Sequence, residues 1–236
     1  MSTNKQNYQK ELDKIIENIQ KEGAIPTLFL HSCCAPCSTY VIEYLSNYFY
    51  ITVFYYNPNI DEYNEYHKRS LEQQKLIANM DVKYPVKFIE GEYDVDRFKK
   101  MSKGLENEPE GGKRCLACYA IRLGKTAQHA QSHGFDYFAT TLTISPLKNT
   151  EKLNEIGKAL EVSPGPIYLS SDFKKKNGYK RSTQLSKEHD LYRQDYCGCS
   201  YSKRDRLNPS GDDDSHDRGH GDDLHGLELQ NSHKTP

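Results

Sequence analysis

All seven cysteines of the chain fall in three tight groups, Cys33-Cys34-x-x-Cys37, Cys115-x-x-Cys118 and Cys197-x-Cys199. Thiolates are soft ligands, and closely spaced sulfurs on segments far apart in sequence suit iron–sulfur or zinc coordination better than scattered thiols would. A lone CxxC such as Cys115–Cys118 is compatible with zinc, a cluster or a redox dithiol. Joined to Cys33 and Cys34 it makes four sulfurs, the ligand count of a 4Fe-4S cubane. Cys197 and Cys199 are separated by one glycine. A disulfide across so short a span would be strained and easily reduced, suited to electron exchange, and the same pair could equally hold a metal.

The elements that must position these groups alternate between strand and helix. Ile15 and Ile19 lie four apart in a polar stretch ending near Gly23, which predicts an amphipathic helix. Thr27–Leu30 is a short apolar run leading into Cys33, and Val41, Ile42 and Leu45 then recur at helical spacing, so the first cluster reads as a strand–loop–helix turn. Tyr50–Tyr56 is a β-branched and aromatic strand closed by the turn Asn57-Pro58-Asn59, followed by a polar helix over Asp61–Asn79 with Leu71 and Leu76 inward. Further strands are expected at Val86–Ile89 and Tyr137–Leu142, with a helix over Thr150–Leu160 capped by Asn149 or Thr150. This order implies an α/β sandwich: a mostly parallel sheet covered on both faces, with its ligand site beyond the strands' carboxyl ends. The His31–Cys37 turn has no glycine, which argues against a phosphate cradle, whereas a helix N-terminus there would stabilise thiolates.

Length and apolar content, 236 residues with 36% apolar, suit one core. No apolar run approaches the ~20 residues of a membrane span, and the N-terminal stretch lacks the character of a secretory signal, so a cytoplasmic protein is expected, with reduced thiols. The net charge of −1 conceals two regions. Leu207–Pro236 carries seven acids and two bases and four histidines, and is expected to be a disordered, solvated tail. Phe173–Arg193 interleaves bases with Phe173, Tyr179 and Tyr192. That composition suits phosphate contact and base stacking, making Lys174, Lys175, Lys176, Lys180, Arg181 and Arg193 candidate nucleic-acid-binding residues. Lys113, Arg114 and Arg122 flank the second cysteine group and could offset an anionic cluster or meet a phosphate. The organisation expected is an N-terminal helix over 1–24, a catalytic domain over 25–206 and the tail over 207–236.

Five segments in one order, HSCCAPC, FYYNPNI with Glu65–Arg69 after it, RCLACYAIRL, FATTLTISPLK and LYRQDYCGCSYS, resemble the QueH-type epoxyqueuosine reductases from about Thr27 to Arg204. The resemblance implies a nucleotide-hydrolase-like (HUP, Rossmann-like) three-layer sandwich. It also implies cobalamin-independent, two-electron reduction of epoxyqueuosine at the tRNA wobble position, the last step of queuosine synthesis, fed by an electron donor that the sequence does not identify. It assigns Cys33, Cys34, Cys115 and Cys118 to a 4Fe-4S cluster, and Cys197 and Cys199 to a redox-active pair. It further implies an additional iron ion held by sulfurs and a carboxylate. Other members place Asp where this chain has Cys37, so Cys37 is expected to surround that iron together with Cys197 and Cys199. His31, Tyr119, Tyr196 and Asp195 are candidate proton donors, with His31 the better candidate for orienting the loop. Two other classes use the same residues: a zinc-stabilised RNA-binding module, and a thiol-based sulfur-transfer or disulfide oxidoreductase.

Overall fold

A computed structural model describes residues 6–207; the tail expected beyond Leu207 lies outside the described residues. The elements run α1 (Tyr8–Glu22), β1 (Thr27–Ser32), α2 (Ala35–Leu45), β2 (Tyr50–Tyr55), α3 (Tyr63–Asn79), β3 (Lys87–Glu90), α4 (Val95–Ser102), α5 (Lys113–Ser132), β4 (Tyr137–Thr140), α6 (Thr150–Ala159), β5 (Ile167–Tyr168), α7 (Gly178–Glu188) and α8 (Ser200–Leu207). A 3-10 turn over Thr141–Ile144 follows β4 directly. The five strands form one sheet in the order β3-β2-β1-β4-β5, every neighbouring pair parallel. The α/β sandwich is therefore present, and its sheet is wholly parallel.

Burial explains the strand sequences. From their second residues onward β1 and β2 are buried, because helices cover both faces of the sheet; such strands read as continuous apolar runs instead of alternating ones. One core layer packs Leu12, Ile16 and Ile19 of α1 with Val41, Ile42 and Leu45 of α2 against Leu28, Leu30, Ile51 and Val53. The other packs Phe29, Phe54 and Phe138 beneath Tyr119, Leu123 and Ala127 of α5. The N-terminal helix thus belongs to the main core. It begins at an Asn7 cap whose side chain accepts the Lys10 N–H at 3.1 Å, and stops at Gly23, whose φ of 66° is left-handed.

Several expectations need correction. Leu76 of α3 is buried, but Leu71 is 51% exposed. Five residues of helix turn the two onto different faces, and the buried face is instead Tyr66, Arg69, Ser70 and Gln73. The fourth strand ends at Thr140, where the 3-10 turn takes over. Of the two candidate caps for α6, Asn149 serves, accepting the Lys152 N–H at 3.0 Å.

The sheet order reverses direction beside β1, whose two neighbours are β2 and β4. At such a switch point the loops leaving adjacent strands diverge and open a crevice beyond their carboxyl ends. The loop after β1 starts with Cys33 and the turn after β4 starts with Thr141; Cys33 Sγ lies 3.8 Å from Thr141 Oγ1.

Candidate functional site

The crevice contains two adjoining cavities. The first, about 160 Å³, is lined by Cys33, Cys34, Cys37 and Cys197, with Tyr179, Arg193, Asp195 and Tyr196 among its walls. The second is lined by Cys115, Cys118, Cys197 and Cys199, with Asn59 and Tyr119 beside them. Glu110, Lys148 and Cys197 line both. Thus all seven cysteines meet at one end of the sheet. All seven are free thiols.

Local structure sets each group. Cys34 caps α2, with Ala35-Pro36 as its opening residues, so Cys33 and Cys34 sit at a helix N-terminus. One helical turn carries Cys37 back over them, and the three sulfurs lie within 4.8 Å of one another. Cys115 and Cys118 occupy the first turns of α5, three apart and hence on one face. Cys197 is held through its backbone: its N–H donates to Ser202 Oγ at 3.0 Å, while Arg69 Nη1 donates to its carbonyl at 3.3 Å. Asn59 Nδ2 donates to the same carbonyl at 3.5 Å. Cys199 Sγ accepts the Ser202 N–H at 3.4 Å.

Gly198 joins this pair with φ 117°, and a Cβ there would lie 2.8 Å from Ile60 Cγ1 and 3.2 Å from Arg69 Nη1. Gly198→Ala is therefore expected to displace Cys197 and Cys199 and to destabilise the fold by about 1–3 kcal/mol. Urea unfolding together with a turnover assay checks it; a variant with parental stability and rate would show that the pair tolerates rearrangement.

The electrostatics favour anionic sulfur at the β1 loop. Hydrogen bonds from Cys34 and Cys37 hold the Cys33 thiol well below its usual range, with Arg122 and Lys148 assisting. Conversely, the link to Cys33 pushes Cys34 up to about 11, and Cys37 is raised by the same neighbours. Burial raises Cys118 to about 12 and Cys199 to about 11. The trio therefore gives up its first proton at Cys33, and the deeper thiols need a cationic partner to ionise.

Several cations surround the sulfurs, Arg114 of the second cavity and Arg193 and Arg206 of the first among them. Arg69, 2% exposed, pairs with Glu65 at 2.6 Å. Arg122, 1% exposed, donates from Nη2 to Asn57 Oδ1 at 2.6 Å and from Nε to His31 Nε2 at 3.3 Å, and its Nη1 is buried with no hydrogen-bond partner among the described residues. Burial opposes the charge on Lys148, yet facing Cys197 and Cys33 raises its pKa. His31 is fully buried, and burial with the neighbouring Arg122 lowers it to about 3, so it is neutral and faces neither cavity. It serves the loop, and among the candidate proton donors only Tyr119, Tyr196 and Asp195 line a cavity.

The basic stretch divides. Lys174 is engaged by Asp172 at 3.0 Å, Lys176 by Asp13 at 2.7 Å and Arg181 by Glu43 at 2.6 Å. Lys175, Lys180 and Arg193 are exposed and make no ion pair among the described residues, and Arg193 lines the first cavity. Phe173 is 1% exposed in the core and offers no stacking face, whereas Tyr179, 42% exposed, does. Arg114 is also buried; its Nη1 donates to the carbonyls of Leu105, Glu106 and Glu108, clamping the loop before α5 instead of meeting a phosphate. Lys148, Asn57, Asn59 and Arg69 escaped notice as site residues, although all four stand within the FATTLTISPLK and FYYNPNI segments or the helix start that follows.

The family model described as epoxyqueuosine reductase QueH matches residues 28–205. Among relatives, the epoxyqueuosine reductase QueH of Streptococcus pyogenes serotype M1 is 44% identical over 84% of this chain and 78% of its own length. That of Staphylococcus epidermidis is 44% identical over 86% of this chain and 87% of its own. The Thermotoga maritima protein of the same name is 36% identical over 76% of this chain and 92% of its own. With a matched region that spans every cysteine group and all five strands, the chain belongs to the epoxyqueuosine reductase QueH family.

Proposed function

We propose that this chain reduces epoxyqueuosine to queuosine in tRNA at an iron–sulfur centre in the cysteine-lined crevice, without cobalamin. The reductase activity follows from family membership. The observation that carries the iron–sulfur reading is the donor set itself: seven free thiols around two joined cavities, with buried cations beside them. Among the described residues Arg122 has no carboxylate as a hydrogen-bond partner, and the charges nearest to it are the sulfurs of Cys118, Cys197 and Cys33. A buried charge so placed requires an anion, and a thiolate-ligated cluster is one. In donor chemistry the residues present fit the group, and Cys33 and Cys34 from the first cavity with Cys115 and Cys118 from the second would be its ligands. The Cys37 sulfur, grouped with Cys33 and Cys34, and Cys197, shared by both cavities, stand ready for an additional iron ion.

The reaction breaks both C–O bonds of the epoxide, forms a C=C bond, consumes two electrons and two protons, and releases the oxygen as water. A 4Fe-4S centre supplies low-potential, one-electron steps, replenished by an external reductant. The protein supplies the rest. Lys148 lines both cavities and carries a charge that the nearby sulfurs reinforce, so its ammonium can meet the negative charge developing on the departing oxygen. Asp195 and Tyr196 line the first cavity and can pass protons to that oxygen. Tyr179 and Arg193 offer a stacking face and a phosphate contact for the nucleotide that enters.

The decisive experiment is anaerobic incubation of the reconstituted chain with an epoxyqueuosine-containing anticodon stem-loop and a low-potential reductant. Mass analysis should find the loss of one oxygen atom; unaltered substrate with an iron-loaded protein would count against the assignment. For tRNA affinity, Lys180→Ala combined with Arg193→Ala is expected to weaken binding and reduce the salt slope by about two. Lys174→Ala and Arg181→Ala, by contrast, should reveal themselves in stability. An unchanged salt slope in the double variant would remove these two residues from the tRNA surface.

A further inference from the structure

The cations around the sulfurs differ in access. Lys148 lines both cysteine cavities, whereas Arg122 lines neither and is 1% exposed. Arg122 follows Cys118 by four residues on α5, and Cys115 by seven, so all three lie on one face of the helix. Its guanidinium reaches under the β1 loop to two neutral groups, Asn57 Oδ1 at 2.6 Å and His31 Nε2 at 3.3 Å. Asn57 is itself fixed, its Nδ2 donating to the Ser32 carbonyl at 2.9 Å. His31 is held from two sides, Nε2 lying 3.1 Å from the Tyr56 carbonyl and Nδ1 2.9 Å from Thr140 Oγ1, which ties the ring to the ends of β2 and β4. A full positive charge is thus buried at the back of the sulfur site, held rigidly by neutral partners and sealed from substrate.

We propose that Arg122 is a positioning residue that acts through the thiolate-bound centre, its fixed charge favouring the centre's reduced form. This rests on the iron–sulfur reading above. Reduction adds a negative charge to a buried centre, and a cation fixed nearby stabilises the added charge more than it does the oxidised state, so the cation raises the reduction potential. Neutral partners matter to this role. A carboxylate on the guanidinium would cancel its field at the sulfurs, and Asn57 occupies the place where one would sit.

Two substitutions test the charge in different ways. Arg122→Gln removes it; Asn57→Asp keeps the guanidinium but neutralises it locally, and also loses the donation from Asn57 Nδ2 to the Ser32 carbonyl. The intact chain and both variants are reconstituted anaerobically, assayed for iron and acid-labile sulfide, and titrated for midpoint potential by visible absorbance and electron paramagnetic resonance. Each variant is expected to disfavour the reduced form by about tenfold, which for one electron is a fall of about 59 mV. Arg122→Lys should stay closer to the parent than Arg122→Gln. If Arg122→Gln does not fold, Asn57→Asp decides the question when set against Asn57→Ser, which loses the same Ser32 contact without adding a charge. Loaded variants at the parental potential would overturn the role of Arg122 and leave the centre untouched; a parent chain that takes up no iron would instead defeat the iron–sulfur reading itself.

Discussion

Cys33→Ala is expected to lose bound iron and reductase activity together, the latter by more than about 10²-fold, since even changes outside the ligand shell of metal sites cost 10–100-fold. The reason is local. Cys33 is the sulfur at which the trio of Cys33, Cys34 and Cys37 first ionises, because its two neighbours donate to it and Arg122 and Lys148 face it. It also stands at the switch point, 3.8 Å from the turn that leaves β4, so its removal opens the floor of the site. Iron analysis and turnover measured on one preparation check this. Full turnover by an iron-free variant would refute the placement of chemistry at these sulfurs.

Lys148→Met is expected to separate chemistry from loading: iron content near the parent's, with kcat lowered by about 10²–10³-fold, the usual cost of removing a donor aimed at developing charge. Methionine keeps the length of the side chain and forfeits its charge. Lys148 follows the 3-10 turn after β4 and lines both cavities, so its loss removes the cation the two cavities share while Arg122 remains beneath. Single-turnover kinetics on iron-loaded protein distinguish the two effects. A parental rate would transfer the role to Tyr119, Tyr196 or Asp195.

The difference between these residues also explains what could be read from the chain itself. Cys33, Cys34, Cys115 and Cys118 announce themselves because thiols adjacent or three apart, repeated on distant segments, suit metal coordination. β1 and β2 were legible as apolar runs because both of their faces are covered. β5 comprises only Ile167 and Tyr168, too short for any period to register. The roles of Arg69, Asn59 and Lys148 depend on contacts made across the fold, such as Arg69 with the Cys197 carbonyl, 128 residues away. The basic stretch divides for the same reason. Its Lys176 and Arg181 are engaged by Asp13 and Glu43, which α1 and α2 bring to it from the other end of the sequence. Local composition counts charges; only the folded arrangement tells which of them are already engaged.

The most direct test of the central claim is the metal content and Mössbauer spectrum of the anaerobically reconstituted, full-length chain, measured alongside its activity. The account predicts a brown protein with iron and acid-labile sulfide in the ratio of a 4Fe-4S centre, lost on substitution of either Cys33 or Cys118. A colourless, zinc-loaded chain that still converted epoxyqueuosine to queuosine would contradict it.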